Sequence, residues 1–442
     1  MTRRFYTRKI AALVGVLSFA AGLGWTAKDP PKPLPVKLTA KIVNRFNWDT
    51  KKDNEYEDTS RTTLDLNAQV KYIPNPVVQV VAGEWMVDGK IRPYNIYLNL
   101  ASEHINFRLG NQIVRWGKAD EISPLDVVNP EDLSLGLNRT RAERKIPIPM
   151  ANVEFLSDAL SLQGIFIPFA QKSIFHYEGD DWAYFGHLDK VYGPLGVTEE
   201  DTPQTLKDAG YGGRLSFTLL RCDMAFSYLN HRRDIPTLVP FAIPAPVVPG
   251  QEGTLEDLVK FSKYGVPAYG IPPQPIRFRY LREERYGFEL ETTAGSLGFR
   301  GDASYVSSES FITASLQEQR RPVITAVGGI DYNGSGGSYI NVSYSESRVQ
   351  NFDASLAPNK KCVSSLSSQF SLELFSGNIK LGYLGFSNLT DKSYYQNPKI
   401  NINFIPNIGI ETGVEIYSGA PSTQIGFFDP NDQVYLSLSY FF

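Results

Sequence analysis

The chain has 442 residues, of which 42% are apolar, 12% aromatic and 21% charged. That is enough apolar material for a large core, and the aromatic content excludes a disordered chain. A formal charge of −3 offers no basic surface able to neutralise several phosphates, which argues against a nucleic-acid partner.

The N-terminal segment differs from the rest. Arg3, Arg4, Arg8 and Lys9 precede an uncharged run from Ile10 to Trp25, which ends at the small residues Thr26-Ala27. This reads as a cleaved secretory signal peptide over 1–27, because the run is shorter than the roughly 20 residues a spanning helix needs. Residues 28–442 then read as one domain. Its mean hydropathy, included in a chain average of −0.23, looks soluble, but the average conceals a pattern.

In Leu64-Asp-Leu-Asn-Ala-Gln-Val-Lys-Tyr72 apolar or aromatic residues alternate with Asp65, Asn67, Gln69 and Lys71. Period two over a whole segment describes a strand with one greasy and one wet face. Such segments are expected near 36–48, 61–73, 76–87, 91–101 and 104–116. A long loop over 118–145 follows, dense in charge, with Asp120, Glu121, Asp126, Glu131, Asp132 and Glu143 against Lys118, Arg139, Arg141, Arg144 and Lys145. Strands at 146–156 and 158–168 lead to a second loop, 169–209, which carries Trp182, Tyr184 and Phe185. There Thr202, Pro203 and Gly210 predict the cap, first turn and stop of a short helix.

Strands at 210–221 and 223–232 precede a third loop, 233–275, with nine prolines and the apolar stretch Val239 to Pro249. A helix from Leu255 to Tyr264 is expected there, capped by Thr254 and stopped by Gly265. The apolar stretch should not lie in water, so Phe241, Ile243, Val247 and Val248 are candidate lid residues. Further strands are expected near 276–291, 296–306, 322–332, 337–348, 364–375, 378–388, 396–405, 407–418 and 432–442, with longer loops at 307–321, 349–363 and 419–431. The last strand puts Val434, Leu436, Leu438, Tyr440 and Phe442 on one face, and Gln433, Ser437 and Ser439 on the other.

About eighteen strands, joined alternately by tight turns and long loops, predict an all-β transmembrane antiparallel barrel, with sixteen strands as the alternative. A secreted sandwich shares the alternation. It does not explain the outward aromatics such as Phe226, Tyr286, Tyr305 and Tyr440, which suit the interfacial girdles of an outer-membrane barrel. Inward positions, among them Lys41, Arg45, Arg214, Glu289, Arg300, Asp302, Lys399 and Glu411, carry both signs in similar number. The wall alone therefore predicts no strong ion selectivity.

The most informative stretch is Arg108-Leu-Gly-Asn-Gln-Ile-Val-Arg-Trp-Gly117, followed by Asp126-Val-Val-Asn-Pro130. Together with Leu206-Lys-Asp-Ala-Gly-Tyr-Gly-Gly-Arg-Leu215 and Phe299-Arg-Gly-Asp-Ala-Ser-Tyr305, it resembles a group of Gram-negative outer-membrane barrel proteins of unknown function. The resemblance spans roughly residues 100 to 310, and it implies a channel-forming barrel with no particular substrate. Folded into the lumen, the 118–145 loop would narrow the pore, with Arg108, Gln112, Lys118, Asp120, Glu121, Asp126, Arg139, Arg141 and Arg144 as constriction or pore-lining candidates. An exposed loop tied by its own ion pairs is the competing arrangement.

The four histidines are scattered. Asp180 or Asp181 near His176 or His187 is the nearest approach to a catalytic pair, and no hydrolase, phosphate-loop or haem-attachment motif accompanies them. No enzyme, metal or cofactor is expected. Cys222 falls at a tight turn and Cys362 beside a long loop, so roughly 25 Å of membrane separates them, while a disulfide needs Cα atoms within about 7 Å. Two free thiols are expected.

The expected function is an outer-membrane channel for passive or substrate-selective diffusion of small solutes. A gated transporter of hydrophobic or aromatic compounds and a barrel sheathing a partner protein are the alternatives. Expected partners are outer-membrane lipid and lipopolysaccharide, the barrel assembly machinery acting on the strand that ends at Phe442, and the small-molecule solute. A homo-oligomer stays open.

Overall fold

The computed structural model describes residues 36–51, 60–87, 89–92, 94–134, 139–180, 182–241, 255–267, 270–313, 317–356 and 359–442. The proposed signal peptide lies outside them. Eighteen antiparallel strands form one closed sheet. They are β1 Val36–Asp49, β2 Ser60–Asn75, β3 Val78–Val87, β4 (Lys90–Arg92 and, past a break, Ile96–Ala101), β5 Ile105–Gln112 and β6 Ile148–Leu156. Next come β7 Leu160–Ile167, β8 Gly210–Leu219, β9 Cys222–Arg232, β10 Arg282–Ala294, β11 Leu297–Ile312 and β12 Glu318–Gly334. The wall ends with β13 Ser338–Val349, β14 Cys362–Leu374, β15 Ile379–Asn388, β16 Ser393–Ile405, β17 Ile408–Ser418 and β18 Gln433–Phe441.

Each strand pairs with its neighbours in sequence, and β18 closes on β1 from Lys41↔Phe441 to Asp49↔Gln433. Closure leaves no unpaired edge, which is what lets strands cross a medium without water. The turns after β2, β4, β6, β8, β10, β12, β14 and β16 are tight and lie at the same end as both strand termini; the long loops lie at the other. The period-two pattern is realised in space. Leu215, Phe226, Tyr286, Tyr305, Ile324, Val342, Tyr344 and Leu438 are exposed on the outside, while Glu289, Asp302, Asp331 and Glu415 are buried on the inside. Outward rings line up across strands, Tyr228 lying 5.1 Å from Tyr286 and Phe226 lying 5.2 Å from Phe288.

Three expectations need correction. The loop expected at 307–321 is mostly strand, since β11 and β12 pair onward from Glu309↔Arg321 to Ile312↔Glu318. Past the apolar band neither face has to be greasy, so the alternation fades while the backbone pairing continues. The strand expected from 276 begins at Arg282, and Arg277–Arg279 instead pairs with Thr237–Leu238 and Thr198–Glu199 in a small separate sheet. The helix expected after Thr202 is only a single turn at Leu206–Asp208. Its residues have no apolar face to bury, Leu206 itself being exposed, and an isolated short helix in water does not persist. Helix α1 forms instead at Gly186–Tyr192.

The expected helix from Leu255 to Tyr264 is present as α2; Thr254 lies outside the described residues. With α1 and the small sheet it builds a cap core from Phe185, Leu188, Leu238, Phe241, Leu258, Val259, Phe261 and Phe278. Phe241, a candidate lid residue, packs 4.8 Å from the Phe261 ring. Ile243, Val247 and Val248 lie outside the described residues.

Cys222 and Cys362 are free; Cys222 pairs with Leu219 across a tight turn, and Cys362 pairs with Arg348 at the long-loop end. Thiol titration of the unreduced, denatured chain should therefore find both cysteines reactive, and oxidant should produce no faster-migrating monomer on a gel.

Candidate pore constriction

Between β5 and β6 the chain turns inward. Asn129 starts the fold-back, its side chain accepting from the Val114 N–H (2.8 Å) and donating to the Gln112 and Ile146 carbonyls (3.0 and 2.9 Å). The Trp116 indole N–H donates to Gln163 of β7 at 2.8 Å. Its ring fills a space beside Gly212 of β8, where a Cβ would come within 2.9 Å of the ring. Gly117 has φ +90°, and a Cβ there would meet the Ser123 hydroxyl; both reasons demand glycine. Val114, Trp116, Leu125 and Val128 then bury against Ile148, Met150, Ile165, Ile167 and Leu229.

The far side of the segment is fastened by β10 and β11. The Asp302 carboxylate accepts the Lys118 and Ala119 N–H groups, each at 2.9 Å. Lys118 reaches Glu291 at 2.7 Å, Arg300 reaches Asp120 at 2.9 Å, and Arg285 donates to the Pro124 carbonyl at 2.8 Å. Arg92 of β4 binds Asp132 at 3.0 Å. A segment held from β4, β7, β10 and β11 lies inside the barrel.

Within it, Asp126 and Glu131 organise the cations. Asp126 is 1% exposed and faces Lys145 at 3.3 Å, with Arg115 at 3.4 Å. Glu131 binds Arg141 at 2.9 Å, Arg144 at 3.1 Å and Lys145 at 3.3 Å. Burial pushes the Glu131 carboxyl up, but Arg141, Lys145 and Arg144 overcome it and bring it down to about 2. Removing one partner of such a buried set costs about 3–5 kcal/mol, because the other charge is left stranded.

The sequence-derived candidates thus divide by place. Asp126, Arg141 and Arg144 are the interior of the plug. Gln112 is fully buried and donates to the Met150 carbonyl at 3.0 Å; it holds the plug to the wall and faces no water. Lys118 and Asp120 tie the plug to β10 and β11. Arg108 stacks over Tyr97 with 4.9 Å from guanidinium to ring, on the wall. Glu121 and Arg139 line open space. The three carboxylates Asp120, Glu121 and Asp126 do not form one ring.

That open space is two adjoining cavities. The lower, about 460 Å³, lies between the plug and the wall of β1–β3 and β15–β18, and is lined by Lys41, Arg45, Glu143, Lys399, Glu411 and several asparagines. The upper, about 290 Å³, lies on the long-loop side and is lined largely by aromatic rings. Arg139, Leu384 and Tyr395 border both. Lys399 faces Glu411 at 3.5 Å, and Arg45 binds Glu415 at 2.7 Å while lying 3.7 Å over the Tyr435 ring. Tyr395, Tyr417 and Tyr435, all inward, were not singled out from sequence. Their signal was present in the alternation, two residues from Asn397, Glu415 and Gln433. The pair His176–Asp180 does form, Nδ1 lying 3.1 Å from Oδ2.

A closed eighteen-stranded wall with a welded inward segment and residual polar space defines a plugged, wide-bore β-barrel. The family model described as a protein of unknown function, DUF1302, matches residues 94–325, just over half of the chain, and the chain belongs to that family. No curated protein matches it. Similar solved structures include a mutant of the Rh. blastica porin, at 7% identity and TM-score 0.39 over 92% of this chain and all of that one. The daunomycin complex of Salmonella typhi OmpF aligns at 11% identity and TM-score 0.41, covering 92% and 97%. OccAB1 of Acinetobacter baumannii aligns at 9% identity and TM-score 0.49, covering 92% and 96%.

A carboxyl held low stabilises the plug above its ordinary value of 4.5 and ceases to do so as pH falls towards about 2. Pepsin cleavage within 118–145 should accordingly rise as pH falls through that interval, and in Glu131→Gln trypsin should cut the same segment already at neutral pH.

Proposed function

We propose that the protein is an outer-membrane channel for small solutes, in which permeation follows the lower cavity between the plug and the wall of β1–β3 and β15–β18. The observation that carries this is one-sided fastening. The plug bonds to β4, β7, β10 and β11, and a space of about 460 Å³ is left on the opposite side, against about 250 Å³ between the plug and β10–β11. Wide barrels of this strand number hold an aqueous interior unless something fills it. The apolar outer face and the cationic, apolar N-terminus of the sequence support export to the outer membrane. A membrane location also supplies the lipid partners.

The plug weighs against a sheath, which needs an unobstructed bore. A gated transporter would move the cap of α1, α2 and the small sheet, whose core is built from its own residues. Catalysis has less support, since His176 meets Asp180 in the upper cavity without a hydroxyl or thiol bonded to it among the described residues.

Selectivity follows from which charges remain after the plug is fastened. Among the described residues, the cavity is lined by Lys41, Arg45, Arg139, Lys145 and Lys399 against Glu143 and Glu411. Arg45 is neutralised by Glu415, and Lys145 by Asp126 and Glu131. Lys41 and Lys399 then equal Glu143 and Glu411 in number, so this route has no strong ion preference of its own. In planar bilayers the mature chain should give steady ohmic steps with a reversal potential close to zero. Replacing Lys41 and Lys399 together by Glu should move it to the cation side, whereas an unchanged potential would sink this permeation route.

A further inference from the structure

The lower cavity is furnished less by its charges than by neutral polar groups. Along β16, Asn401 and Asn403 line it beyond Lys399, two residues apart on the inward face of the strand. Asn67 of β2 and Asn95, in the break within β4, add further amides, and Ser437 and Ser439 of β18 add hydroxyls. Gly409 of β17 keeps this row clear, since a Cβ there would come within 3.1 Å of the Asn403 side-chain oxygen.

The charges and the amides differ in what they already hold. Lys399 lies 3.5 Å from Glu411, which also accepts the Tyr435 hydroxyl at 3.0 Å. Glu143 accepts the Thr140 N–H and hydroxyl at 3.0 and 2.9 Å, and Lys41 lies 5.5 Å over the Phe441 ring. By contrast, the side chains of Asn67, Asn95, Asn401, Asn403, Ser437 and Ser439 bond to no other group among the described residues. An amide carries two donors and an acceptor, and a hydroxyl is both donor and acceptor. Beside an open space, such groups bond water or whatever displaces it.

We infer that the solute of this route is neutral and polyhydroxylated, a mono- or disaccharide, with these amides and hydroxyls setting the preference. The inference rests on the channel reading, to which it adds the class of solute. A sugar hydroxyl both donates and accepts, so it replaces water at an asparagine or serine and leaves neither partner unpaired. An apolar solute would strand the same groups, each at its desolvation cost. An ion gives up hydration and needs opposite charge in return, and the charges here are already engaged. The volume of about 460 Å³ falls within the range of small-ligand sites, about 300–1,000 Å³, and takes one or two sugar rings.

Planar bilayers and proteoliposomes carrying the mature barrel test it. Maltose should block the ionic current saturably. Glucose should enter proteoliposomes faster than gluconate or glucosamine, which match it in size and carry a charge. Asn401→Leu with Asn403→Leu keeps the side-chain volume, and should weaken the maltose block about tenfold through the lost hydrogen bonds. Heat-modifiable gel mobility shows whether that variant is folded. Ser437→Ala with Ser439→Ala removes only hydroxyls and should weaken the block in the same direction, which guards against a folding failure in the first pair. Charged sugars that enter as fast as glucose, a block that never saturates, or a block indifferent to both pairs overturns the inference; the channel stands if ionic steps persist. A barrel silent in bilayers that binds maltose in detergent by calorimetry, and loses it with the same substitutions, overturns the route and keeps the site. Silence without maltose binding overturns both.

Discussion

An eighteen-stranded wall encloses more width than its inward side chains can fill, and everything inside this molecule answers that constraint. The answer is the segment between β5 and β6. It enters as a backbone carrying many unpaired polar groups, which would be costly in a confined interior. The structure satisfies them with side chains: Asn129 for Val114, Gln112 and Ile146, Asp302 for Lys118 and Ala119, and Arg285 for Pro124. The charged hub at Asp126 and Glu131 then makes the plug a compact body of its own.

Fastening to one side has an electrostatic consequence. Acidic wall residues of β10 and β11 are consumed by the attachment, Glu291 by Lys118 and Asp302 by the plug backbone. Glu289 is taken by Arg214 of the same wall at 2.7 Å. The opposite wall keeps Lys41 and Lys399 beside the open space. The wall charges spent on the plug thus lie on one side of the lumen, while Lys41, Lys399 and Glu411 stay beside the space of about 460 Å³. A charge used to hold the plug is unavailable to a passing ion.

This explains what the sequence disclosed and what it withheld. Alternation of side chains is a local property, so strands such as β2, β17 and β18 and the sidedness of Lys399, Glu411 and Arg300 were legible. Strand ends beyond the apolar band were not, because the residues of β11 past Val306 obey no facial rule. The charge-rich loop announced itself, but its partners did not. Whether Asp126 meets water or Lys145 depends on how the segment folds back, and no spacing encodes that. Arg108 of β5, a natural candidate by position, stacks on Tyr97, while Glu143, from the charge-rich loop, reaches the lower cavity. The aromatic lining of the upper cavity is assembled from three distant stretches and was visible only in its first, at Trp182 and Tyr184.

The family match covers residues 94–325, and within those limits lie the plug, its hub and the β10–β11 fasteners. The wall that faces the open space, β1–β3 and β15–β18, lies outside or at the margin of that region, as do Phe386, Phe427 and Phe428. The matched region thus holds the segment that fills the barrel together with the residues that fasten it. The lower cavity is lined mainly by other parts of the chain. Gln112, Trp116, Gly117, Asn129 and Asp302 can all be explained by fastening alone, without reference to any cargo. Side chains such as Lys41, Lys399 and Phe386 line the cavities and take no part in the plug attachments described above, so replacing them would reshape the open space and leave the plug fastened.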